Sequence, residues 1–365
     1  MKIYNISDTP EGLRPMDYDA YLLSGYTDGF QAGYESVPCI KYEDMYFTIE
    51  ALSGGTITVP AQTKWRLNGG EWNEEDEVEN PVEVEPGDKI EMSRVGETAE
   101  NLFRGTDRWF TGGTMTDYAV YGNIMSLLYG DEFQDQVEVG NSAFLYLFRN
   151  STGITDASNL ILPATALTEA CYCAMFQECP NLVKGPELPA IVLAKNCYSG
   201  MFRWCTNLAS APALPATTLA ERCYYMMFQD CVTLTETPEL PATTLATNCY
   251  GMMFNRCTGI TTAPALPATT LAEKCYQLMF DGCTSLTSAP VLPATTLAPT
   301  CYNSMFSGCT SLNYIKCLAT DISATDCTRD WVKGVASTGM FMKPANTVWG
   351  TGVNGIPDNW TVVDA

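Results

Sequence analysis

The fold class the sequence predicts is an α+β solenoid, a rod of stacked 26-residue coils that each hold a short strand and a short helix, preceded by a small β-sandwich and an N-terminal helical segment. Two observations carry that expectation. From Cys171 to about Thr320 one phrase recurs six times, as CYCAMFQEC, CYSGMFRWC, CYYMMFQDC, CYGMMFNRC, CYQLMFDGC and CYNSMFSGC. Its apolar positions also keep one period: Cys171, Cys197, Cys223, Cys249, Cys275 and Cys301 stand 26 residues apart, as do Phe176, Phe202, Phe228, Phe254, Phe280 and Phe306. A third column, Leu182, Leu208, Leu234, Ile260, Leu286 and Leu312, does the same. A unit of this length cannot close its own core, so neighbours must stack, and like side chains then stand about 4.8 Å apart. Cys, Met, Phe and Leu columns are therefore expected inside.

Taken in chain order, residues 1–38 form the first element. Gly25, Gly29 and Gly33 are each followed by an aromatic, Tyr26, Phe30 and Tyr34. Period four puts glycines and aromatics on adjacent stripes of a helix. Glycine weakens an isolated helix by about 1 kcal/mol per residue, so this one needs a surface to order against. That surface is either a partner, with Tyr26, Phe30 and Tyr34 as attachment contacts, or the chain's own next domain. The segment has no basic start, apolar stretch and small-residue cleavage site, and no secretory signal is expected from it.

Residues 39–94 switch to period two. MYFTIEAL, GTITVP, TKWRLNGGEW, NPVEVE and DKIEMS read as short alternating strands of a small β-sandwich, with a hairpin turn at Asn68, Gly69 and Gly70. The loop from Glu71 to Glu79 bunches six carboxylates but lacks the glycine bend of a calcium loop, and reads as solvated. Residues 95–140 join this domain to the repeats and include GNIMSLLYGDEF, a partly buried connecting segment.

The repeat domain spans 141–320. Leu271, Cys275, Leu278 and Met279 fall at i, i+4, i+7 and i+8, the spacing of a short amphipathic helix with one buried stripe. Downstream, Pro290 and Pro293 confine Leu286 to Pro293 to a very short strand and a polyproline arm. Phe144 to Pro163 is an imperfect first coil, because Leu147 and Phe148 precede Met175 and Phe176 by 28 residues rather than 26. At the other end the period is lost from Asn313, and residues 321–365, with Trp331, Phe341, Trp349 and Trp360, read as a C-terminal cap.

The 365 residues allow two or three domains, and a net charge of −22 argues against nonspecific binding to nucleic acid or to an anionic membrane. No run of 18 apolar residues occurs, so no membrane insertion is expected. Twelve of the sixteen cysteines sit in two columns of the repeat. Partners such as Cys197 and Cys205 would lie about 12 Å apart along a helix, too far for a disulfide, and buried free thiols are expected. The chain has no histidine, no CxxC pair and no phosphate-cradling glycine loop. Neither catalysis, nor a metal, nor a cofactor is expected.

Positions that vary between copies should face solvent, and Glu178, Trp204, Asp230, Arg256, Gly282 and Gly308 form one such column. Trp204 beside Arg203 is a residue pair enriched at contacts, which makes Arg203, Trp204 and Arg256 the candidate binding residues. The alternative is that Trp204 only covers the neighbouring coil. Thr217, Thr218, Thr243, Thr244, Thr269, Thr270, Thr295 and Thr296 form hydroxyl ladders that could meet sugars or cap the turn backbone.

The phrase LPATTLAxxCYxxMFxxCTSL resembles the BspA-like class of leucine-rich repeats, found in surface proteins of gut bacteria and in their phages, over about residues 145–365 including the closing GIPDNWTV. A weaker likeness reaches the sandwich and GNIMSLLYGDEF. The resemblance implies a BspA-like leucine-rich repeat solenoid that binds proteins or glycans without a cofactor. Surface members of that class carry export signals, and this sequence departs from them there. The expectation is a phage virion fibre or decoration protein, made in the host cytoplasm, attached to a virion scaffold through its N-terminus and meeting a host-surface protein or glycan through its repeats. The alternative is a bacterial cell-surface adhesin. A homo-oligomer stays open, since no heptad argues for one.

Overall fold

The computed structural model describes residues 41–59, 62–73, 81–95, 113–345 and 347–365. Tyr26, Phe30 and Tyr34, and most of the acidic loop, lie outside the described residues. The chain divides into two units, Met1–Tyr42 and Glu43–Ala365, and the second carries everything that follows.

Its first part is a five-stranded sheet built from β1 (Phe47–Ala51), β3 (Thr63–Leu67), β5 (Lys89–Arg94), β6 (Tyr118–Asn123) and β7 (Ile154–Ile161), in the order β3-β5-β1-β6-β7. All neighbours are antiparallel except β6 and β7. Period two explains the inner face, where Phe47, Ile49, Ala51, Ile90 and Met92 are buried. Asn68 and Gly69 both take positive φ, and Gly70 N–H closes the turn on Leu67 O at 2.9 Å, the hairpin their residue types demand. Strands β2 (Gly55–Ile57) and β4 (Val82–Val84) pair separately as a ribbon. The small sandwich expected over 39–94 is thus corrected: the main sheet takes β6 from the segment read as a connector and β7 from the first repeat. Helix α1 (Ser126–Tyr129) packs beneath it, with buried Ser126 Oγ accepting from Phe47 N–H and donating to Met92 O.

The fold-class expectation is also corrected. Sheet predominates, α1 is the one α-helix among the described residues, and none of the 26-residue copies contains one. The segment expected to be helical is a run of turns. In the third copy the amides of Tyr224, Met226, Phe228 and Asp230 donate to Cys249, Gly251, Met253 and Asn255 of the next copy at 2.8–3.1 Å. The alternate amides of Cys223, Tyr225, Met227 and Gln229 reach back three residues, to Ala220, Arg222, Tyr224 and Met226. Every fourth residue, here Arg222, Met226 and Asp230, stands at φ between 53° and 61°. A left-handed residue in each turn stops a helix from propagating, and the amides it frees pair with the neighbour instead. The strand of each copy is shorter than expected as well. In the central copies it is reduced to isolated parallel bridges such as Ser210 to Glu236 and Thr262 to Ser288.

Side-chain columns do line up between copies. The Phe rings from Phe176 to Phe306 stack with centroids 5.6–5.8 Å apart. A Tyr column that the apolar count did not place inside, Tyr172 to Tyr302, stacks beside it at 5.8–6.1 Å. Such ring pairs add about 0.5–1.5 kcal/mol each beyond the area they bury. Leu278, expected on the buried stripe, is only half-buried, and Tyr276 takes the interior place. The second cysteine column is more than filler: the thiols of Cys231, Cys257 and Cys283 donate to the carbonyls of Phe202, Phe228 and Phe254 at 2.9–3.1 Å.

The hydroxyls of Tyr172, Tyr198 and Tyr224 are buried without a hydrogen-bond partner. A buried donor left unmade is costly, so Tyr224→Phe is expected to hold or raise stability, by up to about 1 kcal/mol. Urea titration checks this, and a clear loss would contradict it.

Both ends of the stack are covered. Phe144 stacks on Tyr172 at 5.7 Å and Phe148 on Phe176 at 5.0 Å. Trp331 closes the far end against Tyr302 and Phe306, and Phe341 and Trp349 pack around it. Strands β8 (Tyr314–Lys316), β9 (Met340–Lys343) and β10 (Thr361–Asp364) form a parallel sheet there in the order β10-β9-β8.

Candidate functional site

Each copy ends its run of turns on a third left-handed residue. Glu178, Trp204, Asp230, Arg256, Gly282 and Gly308 occupy that place in the six copies and Gly334 in the cap, at φ between 60° and 75°. Glycine takes such a φ at no steric cost, while other residues pay about 1 kcal/mol or more. Two copies and the cap use glycine, and four copies carry a polar or aromatic side chain there.

Those side chains connect across copies. Trp204 Nε1–H donates to Asp230 Oδ2 at 2.9 Å, and Arg256 Nε lies 3.0 Å from Asp230 Oδ1. Asp230 is only 7% exposed, and its two oxygens are committed to the copies on either side. The guanidinium of Arg203 lies over the Trp204 ring, 3.8 Å from its centroid, within cation–π range. At the near end Arg149 Nη2 lies 3.6 Å from Glu178 Oε1, which also accepts from Gln177 Nε2 at 2.8 Å. At the far end the stem of Arg256 crosses Gly282, where an added Cβ would come within 3.0 Å of Arg256 Cγ. Beyond it Gly308 and Gly334 leave bare backbone.

The structure therefore brings Arg203, Trp204 and Arg256 together through Asp230. It also satisfies in part the alternative reading of Trp204, which is half-buried and tied to the next copy. Asp230 and Gln229 were not singled out from sequence. An acid sitting in one column between an aromatic N–H donor and an arginine was the available signal for Asp230.

Chemistry elsewhere is sparse. Every cysteine among the described residues is free, and burial pushes the thiols up, Cys171, Cys205 and Cys309 to about 12. Un-ionised thiols are neither nucleophiles nor metal ligands at neutral pH. No metal-binding group of His, Cys, Asp or Glu forms among the described residues. No helix among them is long and apolar enough to cross a membrane. A shallow cavity of about 320 Å³ lies between proline-rich arms, lined by Pro238, Leu240, Pro241, Pro264 and Pro267. The paired threonines are exposed on the surface, and Thr218, Thr244 and Thr270 bridge through their backbones.

No family model, curated protein or solved structure matches the chain. The reading of the strip rests on its own geometry.

Proposed function

We propose that this chain is a non-enzymatic attachment protein, a fibre or decoration protein of a phage virion. On this reading it is held by its N-terminal segment and presents its stacked repeats to proteins or glycans on a host surface. The likeness of its repeat phrase to BspA-like repeats supports that reading, as does the absence of a histidine or a metal-ligand spacing on which catalysis could be built.

One observation carries it. Glu178, Trp204, Asp230 and Arg256 take the same left-handed place in four successive copies, and from it Trp204 and Arg256 carry their side chains to the surface around the buried Asp230. Trp and Arg are the residues that dominate contact energies, and here they are locked in position by a buried carboxylate.

Trp204→Ala is expected to leave the unfolding transition cooperative and to weaken attachment to host cells about tenfold or more, because truncating a central Trp removes about 2 kcal/mol of contact energy. Unchanged attachment would discard the strip as the contact surface. Quantitative mass spectrometry of purified virions tests the placement, with a fixed stoichiometric copy number expected and absence from particles excluding it.

A further inference from the structure

Arg203 is an anomaly in this molecule. The chain has 42 acidic residues against 20 basic ones, and acidic partners are plentiful. Yet among the described residues the Arg203 side chain makes no ion pair and no hydrogen bond. It only stacks on Trp204, and its Nε is buried without a partner. Arg203 thus sits on an aromatic face that holds the group in place, with its outer guanidinium nitrogens uncommitted.

Arg256 offers a second cation. It spends Nε on Asp230 while its side chain stays 65% exposed, which leaves its outer guanidinium nitrogens free. Arg203 and Arg256 lie two copies apart, about 10 Å at the spacing of paired strands. That matches the interval between carboxylates on alternate sugars of an extended polysaccharide. Beyond the Arg256 stem, the bare backbone at Gly308 and Gly334 continues the same line and gives such a chain a path along the stack.

We propose that the Arg203–Trp204–Asp230–Arg256 strip binds an acidic polysaccharide carrying a carboxylate on alternate sugars. Arg203 and Arg256 each take one carboxylate, and Asp230 is a positioning residue that holds Trp204 and Arg256. The proposal rests on the attachment reading above and names its ligand class.

The test is calorimetric titration of the full chain with a hexasaccharide of glucuronate alternating with N-acetylglucosamine, and with the same hexasaccharide after its carboxylates are reduced to alcohols. The acidic form is expected to bind, and the reduced form to bind about tenfold weaker or less, since charge-assisted hydrogen bonds are lost. Arg203→Gln and Arg256→Gln should each weaken the acidic form by about tenfold or more at an unchanged melting temperature. Arg203→Lys, which keeps the charge but not the planar fork, should recover only part of the loss. Equal binding of both hexasaccharides, or indifference to Arg203→Gln, overturns the proposal. If neither hexasaccharide binds while attachment to host cells still depends on Trp204, the ligand class is wrong and the attachment reading stands. If that dependence is absent too, both fall.

Discussion

Raising the pH from about 9 to about 11 is expected to unfold the repeat stack steeply. The cause is burial. Desolvation pushes the column thiols up, Cys205, Cys249 and Cys309 to about 12, from an ordinary value of 9.0. It likewise raises the column tyrosines from Tyr172 to Tyr302 above the ordinary phenol. In the folded chain these groups stay protonated, whereas in the unfolded chain the thiols ionise once the pH passes about 9. Folding therefore binds protons more tightly, the stability this confers is fully present below the unfolded value, and it is lost as the pH climbs toward the folded one. Each thiol contributes a loss of about 1.4 kcal/mol per pH unit in that window. Two columns of thiols acting together exceed the 5–15 kcal/mol that holds an ordinary domain folded, so collapse should come within about one unit of its onset. Circular dichroism against pH reads this directly. A flat signal to pH 11 would mean that the thiols are already exposed and ionised in the folded chain.

Phe254→Ala is expected to cost about 3–5 kcal/mol, the largest effect foreseen for a single substitution. The ring is fully buried and lies between Phe228 and Phe280, 5.7 Å from each. Its removal breaks the column in the middle, where turn-to-turn hydrogen bonds lock both neighbours and leave little room for collapse. The Phe254 carbonyl accepts from both Cys257 N–H and Cys283 Sγ–H, so a shift of the backbone would also loosen the thiol column. Denaturant titration should show a lower midpoint with the slope retained. An unaltered midpoint would place Phe254 outside the core.

Which residues face inward was legible because column identity is a long-range signal that needs no knowledge of local conformation. Cys, Phe and Leu repeating at 26 residues could only be stacked and buried. Local conformation was not legible, for a specific reason. Turns with a left-handed residue every fourth position bury side chains at i, i+4 and i+8, the same pattern that an amphipathic helix writes. Leu278 marks the difference, since helical phase would bury it and the turn exposes it in part. The Tyr column was hidden by its hydroxyls, although its invariance across all six copies was on view. Strand β6, YAVYGN, lies second from the sheet edge and is buried along most of its length, so it lacks the alternation by which β1 and β5 were recognised. Of the candidate site, Arg203, Trp204 and Arg256 could be chosen by residue type and column. The carboxylate of Asp230 that joins Trp204 to Arg256 required the fold.

The central claim is that successive 26-residue copies stack in register, with the interior columns continuous and amides paired from copy to copy. A crystallographic map of the full chain tests it most directly. The account predicts Phe rings from Phe176 to Phe306 in one column with centroids 5.6–5.8 Å apart, flanked by unoxidised cysteines. Equivalent phenylalanines that point into solvent, or that fail to superimpose from one copy to the next, would contradict it.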